Sequence, residues 1–182
     1  MRLRSIETPL LILREIVVQD GGDFARYMTR PDYQRHIAAR LADLKAVQGF
    51  VMRALAHQQA KDRRAWFLAA QLKNEGGVAG DGFILKHRSG LFEIGWGVDP
   101  ACWGRGIASQ VALALAAIAV ERLGAGEVGC KVMAPNRASV RVAQKAGFHQ
   151  ERTVPAGQRS GEAGVDVDYF VLTRQQYFEA PY

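Results

Sequence analysis

The stretch Trp103-Gly104-Arg105-Gly106-Ile107-Ala108 joins an alternating, strand-like run (residues 91–98) to a long apolar run that starts near Ile107. A strand that turns on two glycines directly into a helix restricts the fold more than any other segment of the chain. Glycine has no Cβ, so Gly104 and Gly106 can take φ > 0 and let the backbone come close to a ligand. The first N–H groups of the helix that follows have no partner inside it, and with the helix dipole they attract negative charge. The pattern suits a phosphate or diphosphate cradle. Glycine turns that only end a strand share the same local pattern, so the rest of the chain must decide.

The 182 residues, 48% of them apolar, suit one compact domain that buries a single core. The longest apolar segment, residues 111–120, is shorter than the roughly 20 residues needed to span a bilayer, and the N-terminal Met-Arg-Leu-Arg-Ser-Ile-Glu has no apolar signal core. A soluble, cytoplasmic protein with no membrane partner is expected. Cys102 and Cys130 make neither a disulfide framework nor a metal motif, and His36, His57, His87 and His149 lack ligand spacing, so no metal is expected. The net charge of +6 favours acidic ligands. It is spread along the chain without a dense basic run, finger spacing or aromatic ribonucleoprotein motif, which argues against nucleic acid.

Periodicity predicts a strand over residues 10–15, a short helix over 20–29 stopped by Pro31, and a helix from an Asp43 N-cap to about residue 61, with Leu44, Val47, Val51 and Leu55 on one face. Strands over 65–73, 78–86 and 91–98, separated by Asn74-Glu75-Gly76-Gly77 and His87-Arg88-Ser89-Gly90, read as an antiparallel meander. A helix over 107–123 stops at Gly124 to Gly126, a strand covers 127–133, and a short helix over 137–145 is closed by Gly147. Strands over 148–154 and 165–173 and a helical turn over 174–178 complete the chain.

A second constellation lies at Pro135-Asn136-Arg137-Ala138-Ser139, leading to Lys145-Ala146-Gly147-Phe148. Asn136 is placed to cap the helix, with Ser139 in its first turn; by itself this is ordinary capping chemistry. Its pairing with the upstream glycine turn gives it further meaning.

In this order and spacing the chain resembles the GNAT superfamily of N-acetyltransferases, and within it the RimJ/RimL-like branch of ribosomal-protein N-terminal acetyltransferases. The likeness covers about residues 6–177, so the domain is placed at residues 6–178. Thr8-Pro9-Leu10-Leu11-Ile12-Leu13-Arg14 resembles the branch's opening strand and Glu93-Ile94-Gly95-Trp96-Gly97-Val98 its fourth. Trp103 to Ala108 resembles the acetyl-CoA loop, Asn136-x-x-Ser139 with Lys145-Ala146-Gly147-Phe148 the second cofactor segment, and Asp166 the acidic residue before the final strand. The implied fold is a single α/β (α+β) domain with a mixed, mostly antiparallel central sheet of about seven strands flanked by about four helices. Trp103 stands where the superfamily usually has Arg or Gln and the branch commonly has Trp, Gln110 where the branch often has Glu, and Ala143 where many members place a general-acid Tyr; Ser139 is the branch's substitute candidate.

The resemblance implies acetyl-CoA as cofactor and coenzyme A as product. Pantetheine would add to the edge formed by Trp96, Gly97 and Val98, and the diphosphate would meet the loop Trp103, Gly104, Arg105, Gly106, Ile107, Ala108 and Ser109. Asn136 and Ser139 would border the cofactor. Transfer would be direct, in a ternary complex, with the Val98 N–H stabilising the oxyanion. The catalytic candidates are Glu93, as a base acting through water, and Ser139, as the acid for the leaving thiolate; the plain alternative for Glu93 is a salt-bridge residue. Tyr169 is a reserve acid or a packing aromatic.

The acceptor is expected to be an amine. At pH 7 an α-amine costs roughly 1 kcal/mol to deprotonate and a lysine side chain nearly 5, so a protein or peptide N-terminus needs less help. Alternatives are a small amine, such as an antibiotic, polyamine or amino-acid derivative, and a non-catalytic acyl-CoA sensor. Acceptor selectivity is expected in residues 30–60 and 154–165, in a monomer or homodimer. The turn lacks the Gly-Lys-Ser/Thr ending of a P-loop and the spacing of a Rossmann motif.

Overall fold

The computed structural model describes residues 3–37, 40–158 and 164–180. Its eight strands are β1 (Ile6–Glu7), β2 (Leu11–Glu15), β3 (Ala65–Leu72), β4 (Val78–Lys86), β5 (Phe92–Val98), β6 (Glu127–Met133), β7 (His149–Val154) and β8 (Val167–Thr173). They form one sheet in the order β1-β2-β3-β4-β5-β6-β8-β7. Every neighbouring pair is antiparallel except β5 and β6, which are parallel. A parallel pair needs a long crossover, and the glycine turn and helix supply it.

The helices are α1 (Gly21–Met28), α2 (Pro31–Gln34), α3 (Leu44–Gln59), α4 (Ile107–Ala117), α5 (Arg137–Lys145) and α6 (Arg174–Glu179). The sheet thus has one strand more than expected, the two-residue β1, and six helices in place of about four. Pro31 does more than stop α1: it opens α2 as a first-turn residue, where its missing N–H leaves no bond unmade. The continuous helix expected over 107–123 ends as α helix at Ala117 and widens into a π turn over Ile118–Arg122.

Each face of the sheet carries its own core. Leu11, Leu13, Leu68, Ile84 and Ile94 pack with Ile107, Val111 and Leu115 of α4 on one face. Each of these α4 side chains contributes about 1.5–3 kcal/mol by leaving water. On the other face Ala69 and Val78 pack with Phe24 and Tyr27 of α1 and Val47 and Val51 of α3. Asp43 caps α3, its Oδ1 accepting the Ala46 N–H at 2.8 Å. Leu44 does not join the expected stripe: burial begins at Val47, and Leu44, at the helix's first residue, is 54% exposed.

The feature that positions the site is a wedge. β5 and β6 pair only through Phe92↔Val128, Glu93↔Gly129 and Ile94↔Cys130, although β5 runs on to Val98 and β6 to Met133. Beyond that point the two strands part.

Candidate functional site

The Asp99 N–H donates to the Ala79 carbonyl at 2.8 Å, which sets the alternation of the β4–β5 ladder. Gly97 therefore aims its main-chain groups at β4, whereas Trp96 and Val98 aim theirs into the wedge. Trp103 takes one of these groups: its indole Nε1–H donates to the Val98 carbonyl at 2.9 Å, while the ring itself stays 57% exposed. An extended ligand lying along this edge would find one acceptor already used.

The glycine turn closes the open end of β5. Gly104 and Gly106 have φ of 78° and 77°, and a Cβ at either would meet nothing within 4 Å. The need for glycine here is conformational, since an L residue at such a φ costs roughly 1–2 kcal/mol. Gly106 is the N-cap of α4, and no side chain caps the helix. The Gln110 N–H reaches back to the Gly106 carbonyl at 3.3 Å, leaving the N–H groups of Ile107, Ala108 and Ser109 at the helix mouth. Arg105 points its guanidinium at Glu75 of the β3–β4 turn, Nη2 to Oε1 at 2.7 Å. Gln110 is tied within the chain: its Oε1 accepts from the Thr8 hydroxyl at 2.5 Å and the Leu10 N–H at 3.0 Å, pinning the β1–β2 turn to α4.

The second motif sits at the end of the other diverging strand. The Asn136 N–H donates to the carbonyl of Met133, the last residue of β6, at 2.8 Å. Asn136 Oδ1 accepts the Ser139 N–H at 3.2 Å and so caps α5. The Ser139 hydroxyl has no hydrogen-bond partner among the described residues. Ala143, at the position where the resemblance would place a general-acid Tyr, is fully buried. Asp166 fastens the loop before β8, its Oδ1 accepting the Ala156 N–H at 2.9 Å.

Glu93 stands at the closed end of the wedge, on the face opposite α4. Its Oε2 accepts from Lys131 Nζ at 2.7 Å and lies 3.0 Å from His87 Nε2. Glu93 and Lys131 line a cavity of about 150 Å³ with Tyr169 and Arg152, whose guanidinium sits 4.2 Å over the Tyr169 ring. The structure thus puts the glycine turn and the Asn136 cap at one end of the diverging strands and Glu93 at the other.

Sequence reasoning missed a third group. Asp81 of β4 accepts at Oδ1 from the hydroxyls of Tyr27, at 2.9 Å, and Tyr33, at 2.7 Å. Burial pushes its carboxyl above the usual range, against the two hydroxyls, which lower it; both tyrosines are in turn pushed well up and stay protonated donors. The available signal was a carboxylate between Gly80 and Gly82 in a strand that is otherwise apolar up to its terminal Lys86. Nearby, Asp99 is buried, with Arg26 Nη2 3.4 Å from its Oδ2. Cys130 is no nucleophile, since burial pushes its thiol up. Among the described residues no group of His, Cys, Asp and Glu is placed to hold a metal ion, and no helix is long and apolar enough to cross a membrane.

Residues 11–149 match the family described as Acetyltransferase (GNAT) domain. The chain belongs to the GNAT acetyltransferase family. Its GNAT domain is 27% identical over 149 residues to the N-acetyltransferase YoaA of Bacillus subtilis (strain 168), spanning 80% of this chain and 83% of that protein. Among solved structures, a GNAT-family acetyltransferase from Bacillus anthracis superposes with a TM-score of 0.83 at 20% identity, over 94% of this chain and 99% of that one. Ribosomal-protein-S5-alanine acetyltransferase from Vibrio fischeri follows at 0.80 and 16%, over 98% and 100%. The microcin C7 self immunity acetyltransferase MccE, solved with acetyl-CoA and AMP, gives 0.77 at 14%, over 91% and 93%. At these identities the superpositions establish the GNAT fold. The family makes this protein an acyltransferase enzyme.

Proposed function

We propose that this GNAT enzyme transfers the acetyl group of acetyl-CoA to the α-amine of a protein or peptide N-terminus, as the RimJ/RimL-like branch does, within a domain spanning residues 6–178. The observation that carries the cofactor assignment is the uncapped start of α4 on a left-handed Gly106, beside the unpaired edge of β5. Three free N–H groups and a dipole in one corner fit a diphosphate. Gly104, Arg105, Gly106, Ile107, Ala108 and Ser109 would hold it, with Trp103 alongside. Trp96, Gly97 and Val98 would take pantetheine, and Asn136 and Ser139 would border it from the other strand. Bound there, the thioester supplies an activated acyl carbon.

The chain's own groups do the rest. The Val98 N–H lies in the wedge and donates to the oxygen that gains charge during attack. The Trp103 indole, by holding the Val98 carbonyl, keeps that peptide unit in place. The Ser139 hydroxyl delivers a proton to the leaving thiolate. Two carboxylates, Glu93 and Asp81, compete to accept the amine's proton. Glu93 would act through water, with Lys131 and His87 beside it.

The likeness to the S5-alanine acetyltransferase supports a peptide acceptor, as does the low cost of deprotonating an α-amine. The likeness to MccE supports the second reading, a small amine. The test is release of free coenzyme A across peptides beginning with Ala, Ser, Met or Thr, beside aminoglycosides and polyamines. Peptide-selective release is expected; release only with small amines would favour the second reading, and none with any acceptor would contradict both.

A further inference from the structure

We propose that Asp81 is the carboxylate that meets the acceptor's primary ammonium group and takes its proton. The inference rests on the acetyl-transfer reading and adds to it the residue that receives the amine.

The two oxygens of Asp81 differ. Oδ1 is engaged by the Tyr27 and Tyr33 hydroxyls. Oδ2 has no hydrogen-bond partner among the described residues, and it is not one of the enclosed orphan atoms, which are Arg63 Nη2 and Asp99 Oδ2. Asp81 is densely surrounded yet only half-buried, so Oδ2 keeps some exposure.

Gly97 alone stands between Asp81 and the β5 edge. Gly97 faces Asp81 in the β4–β5 register, where paired Cα atoms lie about 5.5 Å apart. A Cβ on Gly97 would fall 2.3 Å from the Tyr33 hydroxyl oxygen and 2.7 Å from Asp81 Oδ1. Only glycine fits there, and the Tyr33 hydroxyl and Asp81 carboxylate pack directly against its backbone. On either side of Gly97 are Trp96 and Val98, whose main-chain groups face the wedge. The open carboxylate oxygen therefore lies beside the edge proposed to hold the thioester.

Asp81 is also electrostatically distinct from Glu93. Glu93 has an ammonium group at 2.7 Å; Asp81 makes no ion pair among the described residues. The groups facing it are hydroxyls, Tyr27 from α1 and Tyr33 from α2. Across the strands Ala69 of β3 and Gly97 of β5 bring no charge, and beyond Tyr27 lie Asp99 and its partner Arg26. A half-buried carboxylate without a cation is an attractive seat for an ammonium ion, and its raised proton affinity narrows the gap to the amine. The ammonium gives one proton to Oδ2, and the freed nitrogen forms the C–N bond to the acyl carbon of the acetyl thioester. The C–S bond then breaks, the Ser139 hydroxyl gives its proton to the departing thiolate, a second nitrogen proton restores that hydroxyl, and Oδ2 returns its proton to solvent.

The test uses the full chain and an acceptor that the panel identifies. Asp81→Asn keeps the shape and an acceptor for both tyrosines. It is expected to lower kcat/KM for the acceptor at least about a hundredfold, and more than Glu93→Gln does, with acetyl-CoA affinity by calorimetry unchanged. Tyr33→Phe removes a donor that favours the charged carboxylate, so the acidic limb of the kcat/KM profile should move to higher pH; a merely structural Asp81 would leave that limb in place. Folding is checked by melting. Because the native carboxyl is raised, its ionised form weakens the fold, so Asp81→Asn should be at least as stable as wild type at pH 8, the difference vanishing as acid protonates Asp81. If Asp81→Asn fails to fold, the Tyr33→Phe limb decides. Wild-type turnover retained in Asp81→Asn, a larger loss in Glu93→Gln, or an unmoved limb would overturn this role alone. No release of coenzyme A by the wild type with any amine would instead overturn the transfer reading, and this role with it.

Discussion

Helices α4 and α5 begin at the ends of the two strands that part, yet their first turns are finished in opposite ways. α5 opens on Asn136, whose side-chain oxygen satisfies the Ser139 N–H at 3.2 Å. α4 opens on Gly106, at a φ of 77° and with no side chain to offer. One helix mouth is closed by its own sequence; the other is left with its donors facing outward beside an unpaired strand edge. A missing cap costs a helix about 1 kcal/mol, so an uncapped mouth on a well-packed helix is a cost that a ligand can repay. The same contrast recurs between the carboxylates, Glu93 held by the Lys131 ammonium and Asp81 left with one oxygen open.

The sharpest way to break the comparison is to fill the open mouth. Gly106→Glu places a strained backbone and a negative charge where the diphosphate is proposed to lie, and should raise the Kd for acetyl-CoA at least about a hundredfold. Unchanged affinity by calorimetry would remove the cradle. Next in size, Ser139→Ala should reduce turnover about tenfold with little effect on acetyl-CoA affinity, because its hydroxyl, and not its capped N–H, is assigned the chemistry. Equal losses in turnover and affinity would make Ser139 a binding residue. The smallest effect is expected at the closed mouth, where Asn136→Ala should cost about 1 kcal/mol of stability and lower the melting temperature by a few degrees. If it weakened acetyl-CoA binding as strongly as Gly106→Glu, the two helix starts would be doing the same work and the contrast would fail.

What the sequence revealed and what it hid follow from how far apart the interacting residues lie. β4, β6 and α5 have the bounds that periodicity predicts, and the Asp43 and Asn136 caps act within three residues of themselves. The glycine turn was equally legible, because strand, turn and helix are consecutive. Pro31 was legible as the stop of α1, and α2 was missed because the residue that ends one helix also starts another. The Asp81 cluster was hidden: it joins residues 54 and 48 positions apart, brought together by packing α1 and α2 over β4. The Glu93–Lys131 pair depends on the parallel register of β5 and β6, and no local pattern carries it. Part of the expected selectivity loop, residues 159–163, lies outside the described residues, as do 38 and 39 of the other expected region.

The most direct measurement is the crystal structure of the complex with coenzyme A. The account predicts diphosphate oxygens within hydrogen-bonding distance of the Ile107, Ala108 and Ser109 N–H groups, and pantetheine against Trp96 to Val98. A diphosphate seated elsewhere, with the mouth of α4 still open, would contradict it.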